Sequence, residues 1–339
     1  MMFRNRSAAV ALAGGLAFAA PAVAHIDPAT KKVAILIFDQ VQVIDYSGPL
    51  EVFSDAGFDV FTVAATRKPV TTSAGDAVKL TPKYTFADAP QADVIVIPGG
   101  GYEAKKDSAA VAWIRRESAH AEHTMSVCNG AFTLANTGLL DGMSATTTAG
   151  NINRMRRSYP AIKVVGDQRV VDNGKILSTA GLSAGIDGAL HMVDLMKGEG
   201  AGQSVALFIE YDWRPHGSFI RGTMADRLIP NALHALSIGE PFDSDIKGDN
   251  DRWESTVWYK TKVPAAELTG LVRAAYEQAY ALDGAWAPGS FRAEPTGPLA
   301  TDIRFDDREG HHWKGVLAVD PVMDDPHQVA IRIAIDRAG

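Results

Sequence analysis

The 339-residue chain has a single cysteine, Cys128, so no internal disulfide can staple it. It also lacks a surplus of positive charge: 33 Lys and Arg against 40 Asp and Glu leave a formal net charge of −7. That balance removes any electrostatic reason to bind nucleic acid or an anionic membrane, since both need clustered cations. Beyond the N-terminus there is no apolar run approaching the ~20 residues of a membrane-spanning helix. What remains is an acidic, globular chain with one thiol, and the residues around that thiol decide whether it packs or reacts.

The N-terminus reads "MMFRNRSAAVALAGGLAFAAPAVAH". Arg4 and Arg6, then an apolar run over 8–20, then Ala22, Val23 and Ala24 follow the order of a secretory signal peptide. The mature chain is therefore expected to begin near His25 and to be periplasmic or secreted. Removing residues 1–24, whose charges are Arg4 and Arg6, moves the formal charge from −7 to −9. In an oxidising compartment a lone thiol must be buried or used. The remaining residues suffice for one large α/β domain, over 31–240, and a smaller module over 241–339.

Short apolar runs alternate with helical patterns from Lys31 to about Gly239. "KVAILIFD" (32–39), "FDVFTVAA" (58–65), "DVIVIPGGG" (93–101) and "TMSVC" (124–128) read as strands. "DYSGPLEVFSDAG" (45–57), "VAWIRRESAHAE" (111–122), "GAFTLANTGLL" (130–140) and "GIDGALHMVDLMKG" (185–198) read as helices. Strands apolar on both faces and separated by helices indicate a mainly parallel sheet with helices on both faces. Ligands of such sheets bind beyond the carboxyl ends of the strands. Asp45, the glycines 99–101 and Cys128 all fall at such ends.

"MSVCNGAF" has the parts of a nucleophile elbow: a strand, a tight turn carrying the nucleophile, and a helix that starts at once. Gly130 lets the backbone crowd the turn. The helix N-terminus favours thiolate, which predicts a depressed pKa for Cys128. The N–H of Asn129 is placed like one donor of an oxyanion hole, and the "PGGG" run can supply the second. Cys128 thus reads as reactive rather than inert.

Five segments together resemble the ThiJ/PfpI superfamily, the cysteine-elbow relatives of class I glutamine amidotransferases. They are "IDYSGPLEVF", "VIPGGG", "SVCNGAFTLANTGLLDG", "LSTAGLSAGIDGALHMVD" and "FIEYDWRP". Within that superfamily the chain is most similar to the isonitrile hydratase branch and to the sensor domains of AraC-type regulators. The resemblance implies a flavodoxin-like sheet, Cys128 as nucleophile, Asp45 as the carboxyl facing it, and Gly100 and Asn129 as backbone oxyanion donors. It implies a small-molecule substrate, no metal, no organic cofactor, and a homodimer. In this family the carboxyl beside the thiol is usually protonated. Two anions in one desolvated pocket cannot both ionise cheaply, so a raised Asp45 and a persistent thiolate are expected. Asp45 also reads as the N-cap of its helix, a role compatible with catalysis.

Two departures bear on activity. The family's hydratases carry Thr where this chain has Asn129, and many relatives carry His where this chain has Thr148. His120 and His123 precede the elbow strand and His191 lies on the last helix, so a papain-style Cys–His pair is disfavoured. Chemistry needing only a thiol, one carboxyl and oxyanion donors stays open. Isonitrile hydration through a thioimidate is of that kind, as is glyoxalase-like hydration of dicarbonyls. A non-catalytic small-molecule sensor is the alternative from a different class.

The tail reads as a small α+β module: one amphipathic helix over 263–282 on a three-strand meander of 301–305, 313–320 and 328–336. His311 and His312 read as turn residues between strands. "DSDIKGDNDRWE" (243–254) places Asp243, Asp245, Gly248, Asp251 and Glu254 on a calcium-loop pattern. Lys247 stands where an oxygen ligand belongs, and the segment reads instead as a solvated acidic linker. For the N-terminus, mass spectrometry of protein from its native host should find a chain starting near His25. Met1 retained in a membrane fraction would overturn the signal-peptide reading.

Overall fold

The structure, a computed structural model, describes residues 30–215, 224–230, 232–233, 236–282, 286–323, 325 and 327–338. The signal peptide expected over 1–24 lies outside the described residues. In chain order the elements of the first part are β1 (Lys32–Leu36), α1 (Val43–Asp55), β2 (Asp59–Ala64), β3 (Val70–Thr72), β4 (Gly75–Leu80) and β5 (Tyr84–Thr85). Next come β6 (Val94–Ile97), α2 (Ala109–His120), β7 (His123–Val127), α3 (Gly130–Asn136), β8 (Ser144–Ala145) and α4 (Ile152–Ser158). β9 (Lys163–Val164), β10 (Val170–Asp172), β11 (Ile176–Thr179), α5 (Ala184–Lys197) and α6 (Ala201–Phe208) complete it.

Seven of these strands form one sheet in the order β10-β11-β7-β6-β1-β2-β5. β11, β7, β6, β1, β2 and β5 run parallel, and β10 closes one edge antiparallel to β11. The period of two along a strand explains the layering. Val33 and Ile35 of β1, with Val94 and Val96 of β6, point into a core shared with α1 and α5. Ala34 and Leu36, with Ile95 and Ile97, point into a second core shared with α2 and α3. With both faces covered, the sheet is the mixed α/β, mainly parallel architecture expected from the pattern. The hairpin of β3 and β4 lies off the main sheet; its polar, mostly exposed second strand gave no period-two signal.

The second part comprises β12 (Glu240–Gly248), β13 (Arg252–Lys260), α7 (Ala265–Leu282), β14 (Arg292–Pro295), β15 (Ala300–Asp306), β16 (His312–Pro321) and β17 (Gln328–Arg337). They make an antiparallel sheet ordered β12-β13-β17-β16-β15-β14. Leu268, Val272 and Tyr276 of α7 pack on Ile303, Phe305, Ile331 and Ile333. The expectation of a three-strand meander is corrected to six strands among the described residues. The "acidic linker" at 243–254 is corrected as well: it is the β12–β13 hairpin, with Asp245 opposite Thr256 and Lys247 opposite Glu254. Every residue of β12 is exposed, so both faces carry polar residues and the alternation that marks a strand is missing. Among the described residues, no helix is long and apolar enough to cross a membrane.

The main sheet dictates where the site forms. β1, β6, β7 and β11 are neighbours, so the loops after their carboxyl ends meet. The elbow after β7 is tight because α3 begins two residues beyond Cys128 and packs on the end of β6. A Cβ at Gly130 would sit 2.1 Å from the carbonyl oxygen of Ile97, a backbone atom that cannot swing aside. Gly130→Ala should therefore destabilise the protein by about 1–3 kcal/mol, the usual cost of overpacking. A urea denaturation midpoint equal to that of the wild type would show that α3 can move off β6.

Candidate active site

Backbone strain concentrates at this end of the sheet. Gln40, Cys128 and Leu182 have φ of 64°, 59° and 57°, a region that side-chain-bearing residues rarely adopt. Each lies in a loop beyond a strand end, after β1, β7 and β11. Such strain persists only where surrounding contacts hold it, and it marks sites more often than scaffolding. Cys128 is held by its N–H, which donates to the Ala180 carbonyl at 3.1 Å. Its carbonyl accepts from the Thr147 hydroxyl at 2.8 Å.

Asp45 is completely buried. One carboxyl oxygen accepts from the Gly99 N–H at 3.0 Å, the other from the Leu182 N–H at 3.2 Å. Its third partner is the Cys128 side chain. The carboxylate thus ties the loops after β6, β7 and β11 to α1. The expected N-cap role is corrected: α1 starts at Val43 with Gln42 as N-cap, which puts Asp45 inside the first turn facing the site. The loop with the glycines is fastened from below, because Gly99 O accepts from Gln42 N–H at 2.9 Å and Gly101 N–H donates to Gln40 O at 3.0 Å. Gly99 itself has no room for a side chain. A Cβ there would stand 2.9 Å from both Asp45 Oδ2 and Cys128 Cβ.

Cys128 and Asp45 perturb each other. Burial pushes the Asp45 carboxyl up to about 6, against the hydrogen bonds from Gly99, Cys128 and Leu182. Burial, and next the negative charge of Asp45, push the Cys128 thiol up to about 12. The N–H groups of Asn129 and Leu182 pull it the other way without prevailing. The expected depressed thiol is corrected: the helix N-terminus is outweighed by desolvation and by an adjacent anion. The raised thiol favours the proton on sulfur, beside a carboxyl stabilised by two backbone donors.

The oxyanion donors differ from expectation in a second way. Gly100 N–H donates at 2.8 Å to Oδ1 of the Asn129 side chain, and Asn129 Nδ2 donates at 2.8 Å to Gly100 O. Gly100 and Asn129 are brought together as expected, but by side chain to backbone, so the Gly100 donor is already engaged. Asn129 N–H faces the sulfur. Thr148 does reach the site: its Oγ1 and Cys128 Sγ lie 3.0 and 3.6 Å from the position of a Cβ on Gly181. His123 begins β7, at the opposite end from the elbow, and meets Gly174 O at 3.0 Å. His191 pairs with Asp172 at 2.9 Å.

Sequence reasoning missed Leu182, Thr147 and the reach of the Asn129 carboxamide. Leu182 acts through its N–H, and only the "STAGLSAG" turn hints that a strand ends there. That turn is anchored by Arg169, which donates to Asp187 at 2.6 Å and to Ser183 Oγ at 3.1 Å. Elsewhere, Asp307, Glu309 and His311 gather in the β15–β16 turn. The Asp307 oxygens are occupied by the N–H groups of Glu309 and His311, by His311 Nδ1 and by Trp313 Nε1. His311 closes this turn, as its sequence position suggested.

A parallel α/β sheet with a strained cysteine elbow and a buried carboxyl beside it defines the class. The sequence model of the DJ-1/PfpI family matches residues 31–195. An isonitrile hydratase of Pseudomonas putida is 36% identical over 183 residues, covering 53% of this chain and 78% of the relative. The HTH-type transcriptional regulator GbdR of Pseudomonas aeruginosa is 23% identical over 140 residues, 41% of this chain and 38% of the regulator. The crystal structure of a ThiJ/PfpI family protein from Pseudomonas syringae superposes with a TM-score of 0.50 at 30% identity, covering 56% of this chain and 78% of that one. The chain belongs to the DJ-1/PfpI family.

The perturbed pair is open to direct measurement. The alkylation rate of Cys128 against pH should give an apparent pKa above the ~8.5 of a free thiol. Asp45→Asn should lower that value by removing the neighbouring charge. A wild-type value well under 8.5 would restore the thiolate as the resting form.

Proposed function

We propose that the protein is an exported, cysteine-dependent enzyme that hydrates small isonitriles to N-substituted formamides. The observation that carries this reading is the fully buried Asp45 carboxyl, held by the Gly99 and Leu182 N–H groups with the Cys128 side chain as its third partner. The Pseudomonas putida relative, named an isonitrile hydratase, points the same way.

The chemistry follows from where the proton rests. As sulfur bonds to the terminal carbon of the isonitrile, Asp45 accepts the thiol proton and passes it to that same carbon. The product is a thioimidate on Cys128. Asp45, again a carboxylate, then takes a proton from water as the water oxygen adds to the thioimidate carbon. Asp45 passes that proton to the nitrogen. Collapse then forms the C=O and breaks the carbon–sulfur bond, the hydroxyl proton passes through Asp45 to sulfur, and the formamide is released. The overall change is addition of one water, and no electrons are gained or lost. This sequence uses Asp45 first as a base, the reverse of the resting protonation expected from the family pattern. It needs the ionised carboxyl, so kcat/KM should rise as pH climbs through about 6.

A second reading has an observation of its own. Thr148 stands where many relatives carry His, and the thiol is pushed up to about 12, as in an inert cysteine. A non-catalytic sensor that binds small molecules at the elbow would need no thiolate, and GbdR, a regulator, is among the relatives.

Purified protein should convert an alkyl or aryl isonitrile to its formamide. Cys128→Ala should abolish this, and Asp45→Asn should lower it by ~10²–10⁴, the usual worth of general acid–base help. The sensor reading expects wild type and Cys128→Ala to be equally silent, with small ligands raising the melting temperature by mass action. Turnover that survives Cys128→Ala would falsify both.

A further inference from the structure

We infer that the Asn129 carboxamide is a specificity-determining group. It closes the oxyanion position and reserves the thiol for electrophiles whose addition places no charge on oxygen. This rests on the reading of Cys128 as a nucleophile and deepens it.

Asn129 occupies the N-cap position of α3, where an Asn side chain normally accepts from its own helix, yet it makes no such bond. Its carboxamide turns across to the glycine loop and binds both polar groups of Gly100, each at 2.8 Å. The pairing fixes the orientation of the amide, because the Gly100 N–H can only donate and its carbonyl can only accept. The carboxamide also fills the gap between the loop and the thiol. A Cβ on Gly99 would lie 2.1 Å from Asn129 Oδ1, beside Asp45 and the Cys128 Cβ. The N–H that would face a developing oxyanion is thus already satisfied.

Two electrophile classes are affected differently. When a thiol adds to a carbonyl, the carbon–sulfur bond forms and the C=O π pair moves to oxygen, which then needs preorganised donors. Here that oxygen must first displace a carboxamide from both of its hydrogen bonds. When the thiol adds to an isonitrile, the new proton goes to the carbon lone pair, one C≡N π pair becomes the nitrogen lone pair, and no oxyanion appears. The closed position therefore penalises esters, amides and dicarbonyls far more than isonitriles.

The test uses p-nitrophenyl acetate, which acylates Cys128 with loss of p-nitrophenolate while Asp45 takes the thiol proton. Asn129→Ala frees the Gly100 N–H, so its acylation rate constant should exceed that of wild type at least tenfold. One oxyanion donor is commonly worth ~10²–10³ in rate. The ratio of ester acylation to isonitrile hydration should rise with it, an inversion that general loosening of the fold would not produce. Asn129→Thr provides the same comparison should the alanine variant fail to fold. A folded variant that acylates no faster than wild type overturns the inference, as does acylation that persists when Cys128→Ala is added. The acylation readout needs no isonitrile. A protein silent toward isonitriles whose Asn129→Ala variant gains acylation would therefore support the inference while removing the hydratase reading.

Discussion

One buried carboxylate holds the site together. Asp45 is inaccessible to water, and its two oxygens and the thiol beside them join loops that follow three different strands. A charge in that position is costly unless it is hydrogen-bonded, and the backbone N–H groups of Gly99 and Leu182 make it tolerable. Leu182 donates from a backbone at φ 57°, and a side chain on Gly99 would collide with Asn129 Oδ1, Asp45 Oδ2 and Cys128 Cβ. Removing the carboxylate would loosen the strained turns as well as the acid–base chemistry, so stability and reactivity are coupled at this one group.

The electrostatic order within the pair changes the meaning of the elbow. A helix N-terminus favours anions by a modest amount that fades within its first turn. Desolvation and an adjacent anion act on the same sulfur and outweigh it. The raised thiol favours a protonated sulfur, so on the reading of Cys128 as a nucleophile the thiolate forms as its proton leaves toward Asp45. Such a resting thiol resists adventitious oxidation, which depends on thiolate.

Much of this was legible in the sequence because its causes are local. Strands buried on both faces announce themselves as continuous apolar runs such as "VIVI", and the elbow needs Cys, a turn and Gly130 in fixed order. Asp45 was legible too, although its position within the helix was not, since α1 begins three residues earlier than the N-cap reading required. What escaped was carried by backbone groups or by side chains acting over distance. Leu182 contributes an N–H, which no residue identity encodes. The β12–β13 hairpin escaped because strand pairing, not an apolar face, stabilises its outer strand, and its acidic residues imitate a linker.

Asn129 shows how a single departure from a family pattern can be misread from sequence and then explained by geometry. Read as a lost hydroxyl, it argues for a degenerate site. Seen in place, it makes two hydrogen bonds to Gly100, one accepted by its carboxamide oxygen and one donated by its nitrogen. The group next to the nucleophile has not been emptied of function but given a different partner. The thiol, the carboxyl and the strained turns are all retained around it, and those are costly features for a surface that only has to pack. On the reading of Cys128 as a nucleophile, a site that keeps its expensive elements while closing one donor changes the range of electrophiles it admits, and that change lies in the reach of one carboxamide.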